Sequence, residues 1–428
     1  MFFLLLIVFY LESLVFDIAV LFLVLTALMS YLNHKFIGLP TTIGVMGISL
    51  LLSLGIVGLD KLGFSSLHNY EVSMLSSVDF SEVLMQGMLS ILLFAGALHV
   101  DLSQLRSYKW PVAILALVGT MMSTLIVGFG LWLLMPYLDV DLPLLYCLIF
   151  GALISPTDPI AVMGILKSAK APKSLELVIS GESLFNDGVG VVIFLLILTM
   201  VTSGHTPSVG YGALLLIQEA GGGILLGLVL GYISYLMLKS IDSYEEEVLI
   251  TLAAVLGGYL LADHIHVSGP LAMVVVGLII GNHGRARAMS DTTRQHVDMF
   301  WALLDSILNA VLFVLIGLEV TLIDFSGPLL HAGIIVIALT LVARLISVGL
   351  PIGLFGRSFK LPKGSLHVLT WGGLRGGISV ALALSLPAGP YRDTVLALTY
   401  SVVVFSIFAQ GLTIGQVVRR VTAVKGER

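Results

Sequence analysis

The chain has a single cysteine in 428 residues, Cys147, which excludes an intrachain disulfide framework and a cysteine-based metal cluster. Charge is almost as scarce: 11% of residues are Asp, Glu, Lys or Arg, and no basic tract offers a surface to nucleic acid. The opening run MFFLLLIVFY has no basic residue ahead of it and Glu12 behind it rather than a small-residue cleavage site. It is therefore expected to be a first membrane span, not a removable signal peptide. What remains is apolar. Hydrophobic residues make up 58% of the chain and mean hydropathy is +1.07, above the share of about half that soluble domains carry. The composition excludes a soluble domain and indicates an all-α polytopic membrane protein.

About 20 apolar residues cross a bilayer as a helix. By that rule spans are predicted over 2–30, 39–58, 80–99, 110–135, 143–166, 176–201 and 210–238, then 246–262, 268–283, 299–323, 328–355, 364–387 and 393–417. That makes about thirteen spans in a single membrane domain, 1–428, with a short tail over 418–428. The positive-inside rule tests this division, because basic residues should gather on one side. Of the 21 basic residues, 17 fall in odd-numbered loops and the tail, among them Lys35, Arg106, Lys109, Lys170, Arg287, Lys425 and Arg428. Only Lys61 and Arg392 fall in even-numbered loops, so the N-terminus is expected outside and the C-terminus in the cytoplasm. The two left over, Arg344 and Arg375, lie inside predicted spans.

Two spans are predicted to break. Ser155-Pro156-Thr157-Asp158-Pro159 places two prolines in the fifth, and each removes a backbone donor and clashes with the preceding turn. In the twelfth, WGGLRGG surrounds Arg375 with Gly372, Gly373, Gly376 and Gly377. Unwound backbone at membrane depth is tolerated only where it is buried in protein or lines a cavity. Five and twelve differ by seven, so spans 1–6 and 8–13 would form two units of opposite orientation, each broken in its fifth helix. Matched interruptions of this kind point to a transporter site.

Ionisable residues within spans sharpen the expectation, because they are costly there and normally mark an ion path, a relay or a buried pair. The stretch GESLFNDGVG places Glu182, Ser183, Asn186 and Asp187 in the sixth span. Residues four apart share a helix face, so Glu182 is expected beside Asn186 and Ser183 beside Asp187. Thr157 and Ser183 would supply hydroxyls, Asp158 and Asp187 carboxylates, and the broken fifth span free carbonyls. Such an all-oxygen site suits a hard monovalent cation, Na⁺, Li⁺ or K⁺, held at Asp187 and Asp158, and not a transition metal. Glu182 is expected to pair with Arg344, with Arg375 as the rival partner. Asp187 is then left to carry either a proton or a cation, a one-for-one exchange that moves no net charge.

The segments GALISPTDPIAV, ISGESLFNDGVGVV, LVARLISV and WGGLRGGISVALALSLP resemble the cation/proton antiporter superfamily. The similarity is to its electroneutral sodium/proton branch, which includes bacterial antiporters and animal sodium/hydrogen exchangers and carries an Asn-Asp pair. The resemblance implies a homodimer in the lipid of the plasma (inner) membrane, with no organic cofactor and no enzymatic activity. It also implies elevator-like movement of core helices, around 80–201 and 299–417, against dimerisation helices around 1–58 and 210–283. Carried over by residue, Asp187 binds cation or proton, Asp158, Thr157 and Ser183 line the site, Asn186 braces the unwound segment and Glu182 pairs with Arg344. Ala95 stands where many relatives have an acidic residue in the third span, and the long cytoplasmic regulatory tail of animal exchangers is not expected here.

Three other readings use the same residues. A K⁺/H⁺ antiporter or a cation channel would need the same oxygen ligands. An intramembrane hydrolase would use two aspartates or Ser183 as nucleophile, but no histidine lies centrally near Ser183. Outside the site, Asp305, Glu319 and Glu219 are read as solvated or interfacial positions, and Glu245-Glu246-Glu247 as a wetted helix start.

Overall fold

Backbone polar groups within hydrocarbon have to be paired inside the chain. In the computed structural model of this protein they are paired in helices, and no strand occurs among the described residues. The structure describes residues 2–63, 87–169, 171–203, 214, 217–285, 288–320 and 327–423. The beginnings of predicted spans 80–99 and 210–238, the end of 299–323, Lys170, Arg287, Lys425 and Arg428 lie outside the described residues.

In chain order the helices are α1 Phe2–Leu32, α2 Thr41–Lys61 and α3 Leu89–Leu98. Next come α4 Leu102–Leu138, α5 Leu144–Ile154, α6 Ile160–Ser168 and α7 Lys173–Ser203. They are followed by α8 Ile217–Lys239, α9 Tyr244–His264, α10 Gly269–Gly284 and α11 Asp291–Glu319. The chain closes with α12 Gly327–Phe359, α13 Ser365–Trp371, α14 Gly377–Leu384 and α15 Arg392–Val421. Among the described residues, nine helices are long and apolar enough to cross a membrane. The predicted spans over 80–99, 143–166, 268–283 and 364–387 fall on the shorter or interrupted helices.

Both predicted breaks are present. The chain leaves helical form between α5 and α6, where Pro156 and Pro159 withhold backbone donors. It does so again between α13 and α14, along Gly372–Gly376.

The chain divides into two compact units, Met1–Phe80 with Ser306–Asp324, and Ser81–Asp305 with Phe325–Arg428. In the first, α2 meets the end of α11 through hydroxyl contacts: Ser53 Oγ donates to the Leu318 carbonyl at 3.1 Å, and Ser49 Oγ reaches the Phe313 carbonyl at 3.5 Å.

The second unit holds two apolar cores. One gathers α4, α6, α7 and α15 around Leu115, Val162, Val178, Leu374 and Ile414. The other is built on α3, α9, α10 and Trp301, whose ring lies 4.4 Å from that of Phe94 and whose Nε1 donates to Thr251 Oγ1 at 3.0 Å. Without a hydrophobic force between helices in lipid, close approach at small residues supplies much of the packing. At Gly277 on α10, a Cβ would lie 2.7 Å from the Phe94 carbonyl oxygen and 2.7 Å from Ala97 Cβ on α3.

Gly277→Ala should therefore destabilise the protein by about 1–3 kcal/mol through overpacking, read as a lower midpoint of thermal unfolding in detergent. Gly257→Ala, where nothing lies within 4 Å, should leave the midpoint unchanged.

Candidate functional site

The two breaks meet each other. The backbone N–H of Asp158 donates to the Leu374 carbonyl at 2.7 Å, joining the unwound segments directly. Arg375 then turns its guanidinium back onto the carbonyls of Ser155, by a short bond, and Pro156, at 2.8 Å. Those carbonyls follow the last turn of α5 and have no helical partner, so the arginine satisfies orphan acceptors at the negative end of a helix dipole. Its own N–H donates to Ser406 Oγ at 2.8 Å.

Arg344 does the same for the other broken helix. Its Nε and one terminal nitrogen donate to the Leu369 carbonyl, in the last turn of α13, at 3.3 and 3.2 Å. The remaining donors form a two-pronged pair with Glu182, at 2.5 Å to Oε1 and 3.0 Å to Oε2. Glu182 is 1% exposed and Arg344 6%. Arg344, and not Arg375, is thus the partner of Glu182, and Arg375 is a helix cap. Glycine makes the approach possible: a Cβ on Gly373 would stand 2.6 Å from Arg344 Nε, and one on Gly376 would overlap the Asp158 carboxylate.

The positive helix ends carry the opposite charge. Asp158 precedes the N-terminus of α6 by two residues and its carboxylate lies against Gly376, the residue ahead of α14. Its negative charge sits where two half-helix dipoles favour it.

On α7, which runs unbroken through the site, the four polar residues separate by task. Asn186 is fully buried. Its Oδ1 accepts from the Thr157 N–H at 3.2 Å while its Nδ2 donates to Thr157 Oγ1 at 2.9 Å. An amide can do both at once; an ionised carboxylate can only accept. Ser183 Oγ lies 2.9 Å from Thr157 Oγ1, so Ser183 and Asn186, three residues apart, grip the same threonine. The expected neighbourhood of Glu182 with Asn186 is not what their side chains use: each reaches a different element, Glu182 to α12 and Asn186 to the break after α5.

Asp187 is 6% exposed. None of the hydrogen bonds or salt bridges formed among the described residues reaches its carboxylate, and Asp158 and Arg375 are the charged groups acting on it. Ser155, at the same break, bonds through its hydroxyl to the Gly151 carbonyl at 2.6 Å and to Ser123 Oγ at 2.9 Å, which links the break to α4.

One buried acid was not expected. Glu247 is fully buried, although Glu245 and Glu246 beside it are exposed. The signal was present in the spacing: Glu247 shares a helix face with Thr251, Val255, Gly258 and Ala262, all buried. Glu319 is also buried, and not wetted as expected.

Removing one partner of a buried ion pair leaves an uncompensated charge and costs about 3–5 kcal/mol. Arg344→Ala should therefore lower the thermal unfolding midpoint more than Arg375→Ala, and Glu182→Ala combined with Arg344→Ala should recover part of the loss. The reverse order of the two single variants would contradict the pairing.

Comparison with known proteins identifies the family. Residues 23–420 match the family described as sodium/hydrogen exchanger, transmembrane. The chain is 53% identical over 412 residues to the Na(+)/H(+) antiporter NhaP of Pseudomonas aeruginosa, covering 95% of this chain and 97% of that protein. It is 40% identical over 350 residues to the Na(+)/H(+) antiporter NhaH of Halobacillus dabanensis, covering 80% and 83%. Its fold is similar to the solved structure of the sodium proton antiporter MjNhaP1 from Methanocaldococcus jannaschii. There the TM-score is 0.77 and identity 21%, over 96% of this chain and 99% of that one. With a match running from within α1 to the last turn of α15, the chain belongs to the sodium/hydrogen exchanger family.

Proposed function

We propose that the protein is a secondary active antiporter that exchanges Na⁺ or Li⁺ for H⁺, one for one, with the two ions competing for Asp187. The names of its relatives support Na⁺/H⁺ exchange and set aside an intramembrane hydrolase, since those proteins are antiporters. The observation that carries the mechanism is the buried Asp187 carboxylate, which no hydrogen bond or salt bridge among the described residues engages.

Charge supports the stoichiometry. Glu182 is committed to Arg344. Around the crossing this leaves Asp158, Asp187 and Arg375, a net charge of −1 when both aspartates are ionised. One proton or one monovalent cation neutralises it, and binding both would bury an excess positive charge, which a low-dielectric interior penalises heavily. Asn186 adds no charge because its amide is spent on bracing Thr157. A cation on Asp187 would take its other oxygens from Asp158, Thr157 and Ser183, and the half-helix ends would orient those ligands.

Alternating access follows if the crossing moves as a body: Asp187 would release its proton to one side, take the cation there, and face the other side with its charge neutralised. We assign the moving part to helices around 80–201 and 299–417, the dimerisation scaffold to those around 1–58 and 210–283, and the two sets of six spans to inverted repeats. The protein would work as a homodimer in the plasma membrane with its C-terminus in the cytoplasm, the side favoured by 17 of its 21 basic residues.

Asp187→Asn should abolish Na⁺-dependent dequenching of a pH-sensitive dye in proteoliposomes while the protein stays monodisperse. Retained exchange would remove Asp187 from its role. Imposed membrane voltage at fixed ion gradients should leave the wild-type rate unchanged, and a clear voltage dependence would contradict one-for-one exchange.

A further inference from the structure

One feature left unused by the proposed exchange is a groove of about 980 Å³ with α4 and α7 on one side and α8 and α10 on the other. Its character changes abruptly along its length. At one end stand Arg106 and Lys109, three residues apart on one face of α4 and both exposed. No salt bridge among the described residues engages either. Beside them Trp110 is exposed and its ring lies 5.7 Å from Lys109 Nζ; tryptophan is enriched where membrane headgroups meet hydrocarbon.

Beyond that end the lining side chains are apolar, apart from Thr124, whose hydroxyl is already directed to Ser155 Oγ at 3.4 Å. The groove therefore offers a polar ligand nothing to bond once past the two cations. Its rim carries Leu117, Met121, Leu125 and Ile224, all exposed, so it opens toward an apolar surrounding and not toward water. From Lys109 to Leu125 it follows α4 for roughly 24 Å at the helical rise, more than half of the roughly 30 Å hydrocarbon thickness. That is long enough to take an acyl chain from one leaflet.

We propose that this groove is a binding site for one anionic phospholipid, its phosphate held by Arg106 and Lys109 and an acyl chain lying along α4 and α7. Basic pockets between membrane helices hold anionic headgroups by this combination of charge and shape. The acid nearest in sequence, Asp101, is committed to its own helix. Its carboxylate caps the start of α4, accepting from the N–H groups of Ser103 and Gln104 and from both of their side chains.

The test titrates the purified full-length protein with phosphatidylglycerol or phosphatidylcholine of identical chains, counting bound lipids by native mass spectrometry. Wild-type protein should retain one phosphatidylglycerol about tenfold more tightly than phosphatidylcholine. The exposed double variant Arg106→Ala with Lys109→Ala should lose that preference. Ala113→Phe, which fills the groove, should lose the retained lipid while remaining monodisperse. Equal retention of the two lipids by the wild type, or an undiminished preference in the double variant, would overturn the assignment. So would a wild type that retains no lipid and an Ala113→Phe variant that instead splits a dimer, since a second copy of the chain would then fill the groove.

Discussion

The structure depends on ending helices in the middle of a membrane. A carbonyl left without a donor in hydrocarbon costs several kcal/mol, and two interrupted helices present several. Arginine answers both times. Arg375 takes the carbonyls that follow α5 and Arg344 takes one from the last turn of α13. Each guanidinium brings five donors and a charge that suits the negative end of a helix. Each is itself buried, and that burial has to be offset by acids. Glu182 offsets Arg344 directly, while Arg375 is offset at longer range by Glu182 and Asp187.

This arrangement gives neighbouring residues of α7 opposite fates. Glu182 is locked by two charge-assisted bonds, and Asn186 by a donor and an acceptor on the same threonine. Asp187, one residue further on, shares their burial without sharing their bonds. A rigid frame around a buried carboxylate that no hydrogen bond or salt bridge among the described residues engages is the arrangement the proposed exchange relies on: the frame keeps the half-helices apart, and the carboxylate is the group whose occupancy would change. The glycines belong to the same frame, because Gly373 and Gly376 let the crossing close onto Arg344 and Asp158 without a side chain between them.

Much of the fold was legible in the sequence because the bilayer imposes strong rules. Hydrophobic run length placed the helices, and proline pairs and glycine clusters located both breaks within a residue or two. The candidate site was legible for the related reason that charge is expensive at depth, so the ionisable residues of the fifth, sixth, eleventh and twelfth predicted spans stood out. Glu247 escaped because it follows two exposed acids, and a run of acids reads as wetted unless its helical face is traced to Ala262. Glu182 and Asn186 were expected side by side from their spacing of four, but spacing gives proximity on a surface and says nothing about which side chain finds a stronger partner elsewhere.

Composition and order alone determined that the chain is a helical membrane protein, where its helices break, and that Glu182, Asp187, Arg344 and Arg375 lie within its spans. These are properties of single segments in contact with lipid. Tertiary structure decided how those charges pair: that Arg344 takes Glu182, that Arg375 caps α5, that Asn186 spends its amide on Thr157. The two arginine pairings join segments more than a hundred residues apart and the Asn186–Thr157 pairing segments 29 residues apart, and local spacing carries no information about a neighbour that arrives only when helices pack.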